Sequence, residues 1–179
     1  MSSNIIFIVG LMGSGKTSVG KVLSKKMQRP FFDIDQEIIK RENLNISQIF
    51  DKYGENYFRE LEYKTLSKLK DNINSIISTG GGIVLKKENI DIMTENGTII
   101  FLDIDVETQM SRIKNKKNRP LLNSANLKDD LKKMKDDRDK IYKSIANYVI
   151  DVSKETKYKV IDRIQMYLNE KNIIYNKRP

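Results

Sequence analysis

The chain has 179 residues, 33 Lys and Arg against 24 Asp and Glu for a net charge of +9, and neither cysteine nor histidine. Those two absences exclude disulfides, thiolate zinc sites, thiol nucleophiles and imidazole ligands, leaving Asp, Glu, Lys and Tyr for proton transfer and hard cations such as Mg²⁺ for metal chemistry. The length suits one domain, no apolar run approaches the ~20 residues of a membrane helix, and residues 1–4 lack the basic segment of an export signal, so the expectation is a cytoplasmic protein with no membrane partner.

The first element is the apolar run Ile5–Val9, read as a buried strand. It leads straight into Gly10-Leu11-Met12-Gly13-Ser14-Gly15-Lys16-Thr17 and a helical pattern over Lys16–Met27. The octapeptide spells G-x-x-x-x-G-K-[ST] between a strand and a helix, the context in which this motif cradles phosphate. Glycines permit positive φ and close approach, so the amides of Gly13, Ser14, Gly15 and Ser18 can converge on phosphate oxygens at the positive end of the helix. Lys16 is expected to reach the β- and γ-phosphates, and the Thr17 hydroxyl to bind Mg²⁺. The loop implies a nucleotide but leaves the class open, since motors, switches and kinases share it. The base reader of a switch GTPase fails at the last position of Asn115-Lys116-Lys117-Asn118, and the D-x-x-G match at Asp51-Lys52-Tyr53-Gly54 stands alone in a helical stretch.

Residues 31–34 form the second expected strand. Asp33 and Asp35, two residues apart at its end, would point to one face with carboxylates roughly 7 Å apart, where parallel sheets bind ligands. Asp35 could equally cap the next helix. Helical patterns fill residues 35–69 and include Gly54-Glu55-Asn56-Tyr57-Phe58-Arg59-Glu60-Leu61-Glu62, in which Arg59 reads locally as an ion-pair residue on the surface. A third strand, 75–78, closes on Thr79-Gly80-Gly81-Gly82. A helix over 86–95, a strand over 98–102 and a helix over 105–113 follow. Residues 114–125 are polar and basic, lack periodicity, contain Arg119-Pro120-Leu121-Leu122, and are read as a surface loop. The helix Leu127–Ile145 carries Arg138 and Tyr142; a strand over 148–152, a helix over 155–170 and a tail over 171–179 complete the chain. Alternating strands and helices predict an α/β three-layer sandwich, a five-stranded parallel sheet flanked by helices, in a single domain over residues 1–170.

Together these residues resemble the shikimate kinase family. Its pattern joins a G-x-x-G-x-G-K-[ST] loop, F-x-D-x-D, F-R-x-x-E, a glycine triplet, R-P-L-L in a lid, and R-x-x-x-Y, and all six occur in order between Gly10 and Tyr142. The resemblance implies a P-loop kinase with a lid at 114–125 and an acceptor-binding region at 35–63. It also implies that ATP, with Mg²⁺, phosphorylates the 3-hydroxyl of shikimate, a step of chorismate and aromatic amino-acid biosynthesis. Carried over by position, Asp35, Arg59, Gly80, Gly81, Gly82 and Arg138 would hold shikimate, the two arginines pairing with its carboxylate and Asp35 accepting from ring hydroxyls. Asp33 would lie near Mg²⁺, Arg112 over adenine, and Arg119 would close with the lid; Lys16, Asp35 and Arg119 would be the catalytic set. The segment Ser153-Lys154-Glu155-Thr156 lacks a clear counterpart to the arginine or proline that family members often carry there, so base selectivity stays open. Two other readings stay open with it: a related small-metabolite kinase, such as one for gluconate, and a nucleic-acid-binding ATPase using the basic surface. The expectation is a monomer with no nucleic-acid partner, its lysine-rich charge spread over solvated helix faces.

Overall fold

The computed structural model describes residues 4–113 and 126–173. Strand β1 (Ile5–Val9) is buried at every position because it has neighbours on both edges and helices over both faces, which is why its sequence is uninterrupted Ile, Phe and Val. It pairs in parallel with β3 (Ile76–Ser78) on one side and β4 (Gly97–Asp103) on the other. Strand β2 (Phe31–Asp33) adds outside β3, and β5 (Tyr148–Asp151) outside β4, giving the order β2-β3-β1-β4-β5. From β1 the chain first travels to β2 and later returns through β3 to β4. The order therefore reverses between β1 and β3, and a crevice opens at their carboxyl ends, where open α/β sheets bind ligands.

The helices flank this sheet: α1 (Lys16–Met27), α2 (Ile34–Glu42), α3 (Ile46–Leu69), α4 (Lys87–Asn96), α5 (Val106–Ile113), α6 (Leu127–Ile145) and α7 (Lys157–Glu170), with a 3₁₀ turn at Ile83–Leu85. Helix α1 packs against α7, α3 against α4, and α5 against α6. Their ends are written locally. Asn45 and Gln48 form a reciprocal capping box at the start of α3, and the Thr156 hydroxyl caps α7. The long α3 bends at Gly54, whose φ of 80° and ψ of 172° break the helical path. Among the described residues no helix is long and apolar enough to cross a membrane.

Several boundaries differ from the sequence expectation. Strand β2 stops at Asp33, and Ile34 already opens α2, because the Asp33 carboxylate accepts from the Gln36 amide and caps that helix. Asp33 is thus the cap, Asp35 lies in the first helical turn, and a strand's alternation does not govern the pair. The stretch 35–69 divides into two helices where Asn43 turns left-handed at φ 52°. The helix expected from 155 starts at Lys157, after its Thr156 cap.

Candidate active site

The phosphate loop wraps the amino end of α1. Gly13 and Gly15 stand at φ 82° and 95°, conformations that side chains resist, and Gly15 caps the helix. Around them opens a cavity of about 440 Å³, lined by the loop from Met12 to Val19 and by Asp33, Asp35, Thr79, Gly81 and Arg112, with Val152, Glu155, Lys157 and Val160 at the α7 end. Lys16 is buried to 8% exposure and its Nζ donates to the carbonyls of Gly10 at 2.7 Å and Leu11 at 2.9 Å, which suspends the ammonium over the loop. Ser14 is buried as well, and its hydroxyl oxygen has no hydrogen-bond partner among the described residues, an orphan that a phosphate oxygen would satisfy.

The Thr17 hydroxyl donates to Asp33 Oδ2 at 2.6 Å, while Oδ1 of the same carboxylate holds the α2 amide. A hydroxyl and a carboxylate side by side make a hard-oxygen set that suits Mg²⁺ arriving with phosphates and water. Among the described residues there is no group of three or more acidic side chains that would hold a metal unaided. Arg112, on α5, donates to the Val152 carbonyl at 2.8 Å and reaches the Gly13 carbonyl at 3.4 Å, which ties the loop to the segment before α7.

A second cavity of about 260 Å³ adjoins the first, and Met12, Asp35 and Gly81 line both. Its apolar wall is Ile39, Ile46, Phe50 and Phe58; its polar wall is Asp35, Gln36, Arg59, Glu62, the Gly80–Gly82 turn and Arg138. Three helices, α2, α3 and α6, and a turn therefore bring together residues that are far apart in the chain. Arg138 donates to the Gly81 carbonyl at 2.9 Å, beside Tyr142, whose hydroxyl donates to the same oxygen at 2.8 Å and whose ring stacks on Phe101. The glycine turn is packed tightly against this wall. A Cβ on Gly82 would collide with the Arg59 guanidinium, and one on Gly80 would meet Glu62 and lie 2.9 Å from Asp35 Oδ1.

Arg59 is held by two acids, donating to Glu62 Oε2 at 2.6 Å and to Glu55 Oε1 at 2.7 Å. Glu62 is wholly buried, and burial pushes its carboxyl up to about 7 against the pull of the Arg59 charge, with Asp35 adding to the rise. A site with two guanidiniums and a partly neutralised acid favours an anionic ligand, and its other oxygens can accept from hydroxyls.

The structure thus brings Gly13, Ser14, Gly15, Lys16, Thr17, Ser18, Asp33 and Arg112 to the first cavity. It brings Arg59, Gly80, Gly82 and Arg138 to the second, and Asp35 and Gly81 to both. Arg119 and the R-P-L-L segment lie outside the described residues. Sequence reasoning gave no role to Glu62, Met12 or the apolar wall. The signal for Glu62 was present: three residues after Arg59 on a helix, it must share that arginine's face. Glu60, the nearer acid, instead pairs with Lys86 on the outside.

Comparison with known proteins adds a separate line of evidence. The family model described as Shikimate kinase matches residues 12–169. The shikimate kinase of Aquifex aeolicus is 44% identical over 137 residues, covering 76% of this chain and 80% of its own, and that of Pelotomaculum thermopropionicum is 38% identical, covering 94% and 98%. Among solved structures, the shikimate kinase from Acinetobacter baumannii in complex with shikimate superposes with a TM-score of 0.91 at 32% identity, covering 94% of each chain.

Proposed function

The chain belongs to the shikimate kinase family, and we propose that it seats MgATP in the phosphate cradle and shikimate in the adjoining cavity, with transfer across the wall they share. It is an enzyme, a kinase that phosphorylates shikimate at the expense of ATP with Mg²⁺. The observation that carries the residue assignment is that Asp35 and Gly81 line both cavities, so an acceptor hydroxyl and a terminal phosphate would meet there.

Phosphoryl transfer passes through a loose transition state, so its acceleration comes mainly from alignment and charge neutralisation. In our reading Arg59 and Arg138 fix the shikimate carboxylate, which turns the ring so that its 3-hydroxyl faces Asp35, and Asp35 accepts from that hydroxyl. Lys16 leaves the loop carbonyls to meet the β- and γ-phosphates, the loop amides hold the remaining oxygens, and Arg112 lies against the base. Thr17 and Asp33 would hold Mg²⁺, whose charge would offset that of the phosphates. Arg119, which lies outside the described residues, would add positive charge at the transferring group, as the family motif R-P-L-L implies. We further assign residues 35–63 as the acceptor-binding part of a single domain over 1–170, and place the protein in the cytoplasm as a monomer without a nucleic-acid partner. A gluconate kinase or a nucleic-acid-dependent ATPase fits less well, since the matched relatives carry the shikimate kinase name.

Phosphorus NMR of the product, formed from shikimate and MgATP by the purified chain, tests this reading. A monoester coupled to the proton on carbon 3 is expected. A phosphate on another carbon would overturn the placement of the acceptor, and free inorganic phosphate alone would overturn the kinase.

A further inference from the structure

Four consecutive carbonyls of the phosphate loop are each held by a side chain. Gly10 and Leu11 accept from Lys16 Nζ, Met12 accepts from Gln109 Nε2 at 3.0 Å, and Gly13 accepts from Arg112 at 3.4 Å. Lys16 and Arg112 already have parts in the reaction. Gln109 has none. It stands on α5, is fully buried, and packs on the loop closely enough that a Cβ at Gly13 would lie 3.6 Å from its Cγ. Its Oε1 is buried with no hydrogen-bond partner among the described residues. Such an orphaned amide oxygen opposes folding, and an apolar side chain of the same volume would avoid it. The bond to Met12 is what an apolar side chain could not supply.

We propose that Gln109 is a positioning residue for the nucleotide: by holding the Met12 carbonyl it sets the plane of the Met12–Gly13 peptide and aims the Gly13 N–H into the phosphate cradle. The peptide is planar and trans, so its C=O and N–H point in opposite directions and fixing one fixes the other. Glycine accepts either sign of φ, so the backbone at Gly13 does not lock this plane by itself. A donor that is already aimed needs no reorganisation when phosphate charge arrives, which strengthens it in the bound and transition states alike. The same anchor steadies Met12, which lies in the wall between the two cavities.

This inference rests on the reading of the loop as the ATP seat, and the experiment separates the two. Binding of a non-hydrolysable ATP analogue is measured by calorimetry, with steady-state kinetics and thermal melting, for the wild type, Gln109→Met and Gln109→Glu. The Met variant keeps the volume and loses the donor, so analogue binding should weaken and KM for ATP rise by about three- to tenfold, with KM for shikimate at saturating ATP and the melting temperature near those of the wild type. In the Glu variant an ionised carboxyl cannot donate but a protonated one can, so its analogue affinity relative to wild type should recover as pH falls from 8 to 6. A wild type that fails to bind the analogue would sink the nucleotide reading itself. A Met variant with unchanged ATP parameters, or one whose ATP, shikimate and melting values all fall together, would overturn the role of Gln109 and leave that reading standing; should the Glu variant not fold, the Met comparison decides.

Discussion

Glu62 shows how one buried side chain links stability to ligand choice. In the unfolded chain its carboxyl ionises near 4.5, whereas in the folded protein burial pushes it up to about 7. Between those values the folded protein keeps a proton that the unfolded chain has released. The stability due to the neutral form is therefore full below 4.5 and is lost as pH rises towards 7, on the order of 3 kcal/mol for this fully buried group. Thermal unfolding at pH 5 and pH 8 should show the wild type less stable at the higher pH, and Glu62→Gln should flatten that difference; an equal slope in both proteins would contradict the assignment. An anion bound at Arg59 favours the protonated acid, so KM for shikimate should rise between pH 6 and 8 in the wild type and rise less in the Gln variant. Arg138 tests the neighbouring contact. A charge-assisted bond is worth roughly 1.5–3 kcal/mol, so Arg138→Ala should raise KM for shikimate by about 10- to 100-fold while KM for ATP stays near wild type, and a matched loss of both would refute its place on the acceptor.

At the scale of elements, the bend in α3 and the turn after β3 shape the second cavity. Gly54 occupies a backbone region that is essentially restricted to glycine, so Gly54→Ala should cost about 1–3 kcal/mol in a melting experiment. Because Ile46 and Phe50 precede this bend and line the cavity, KM for shikimate should rise with it; an unshifted melting temperature would mean that the bend carries no such constraint. The phosphate loop was legible in the sequence because all its determinants are local: a strand, glycines and a helix start, in one continuous motif. The central strands β1 and β4 were legible for a similar reason, their apolar runs being long enough to need burial on both faces. The end of β2 was less so. Phe31-Phe32-Asp33-Ile34 reads as a strand, and only the contact of the Asp33 carboxylate with the Gln36 amide reveals that Ile34 already belongs to a helix. The Ile83–Leu85 turn was likewise missed, since its apolar residues carry no helical period of useful length.

Across the whole molecule, the candidate site is assembled by topology. Arg59 and Arg138 look like ordinary helix-surface residues in their own segments, and nothing within several residues of either signals a ligand. They face one cavity because the reversal of strand order between β1 and β3 opens a crevice there, and because α3 and α6 both border the glycine turn that follows β3. Only the ordered set of family motifs could connect them beforehand. Glu62 is the last residue of the F-R-x-x-E motif, which contained it without giving it a role, and Gln109 lies outside the motifs altogether, since a buried amide looks like a solvated position until its burial is known. The charge of +9 adds a field that attracts anionic substrates without specifying them. The central claim, that an acceptor acid and a triphosphate occupy adjoining cavities with a common wall, is tested most directly by ADP release from the purified chain at saturating MgATP, with shikimate, with gluconate and with neither. The account predicts a steep acceleration with shikimate and background rates in the other two arms, whereas equal ADP release with and without shikimate would contradict it.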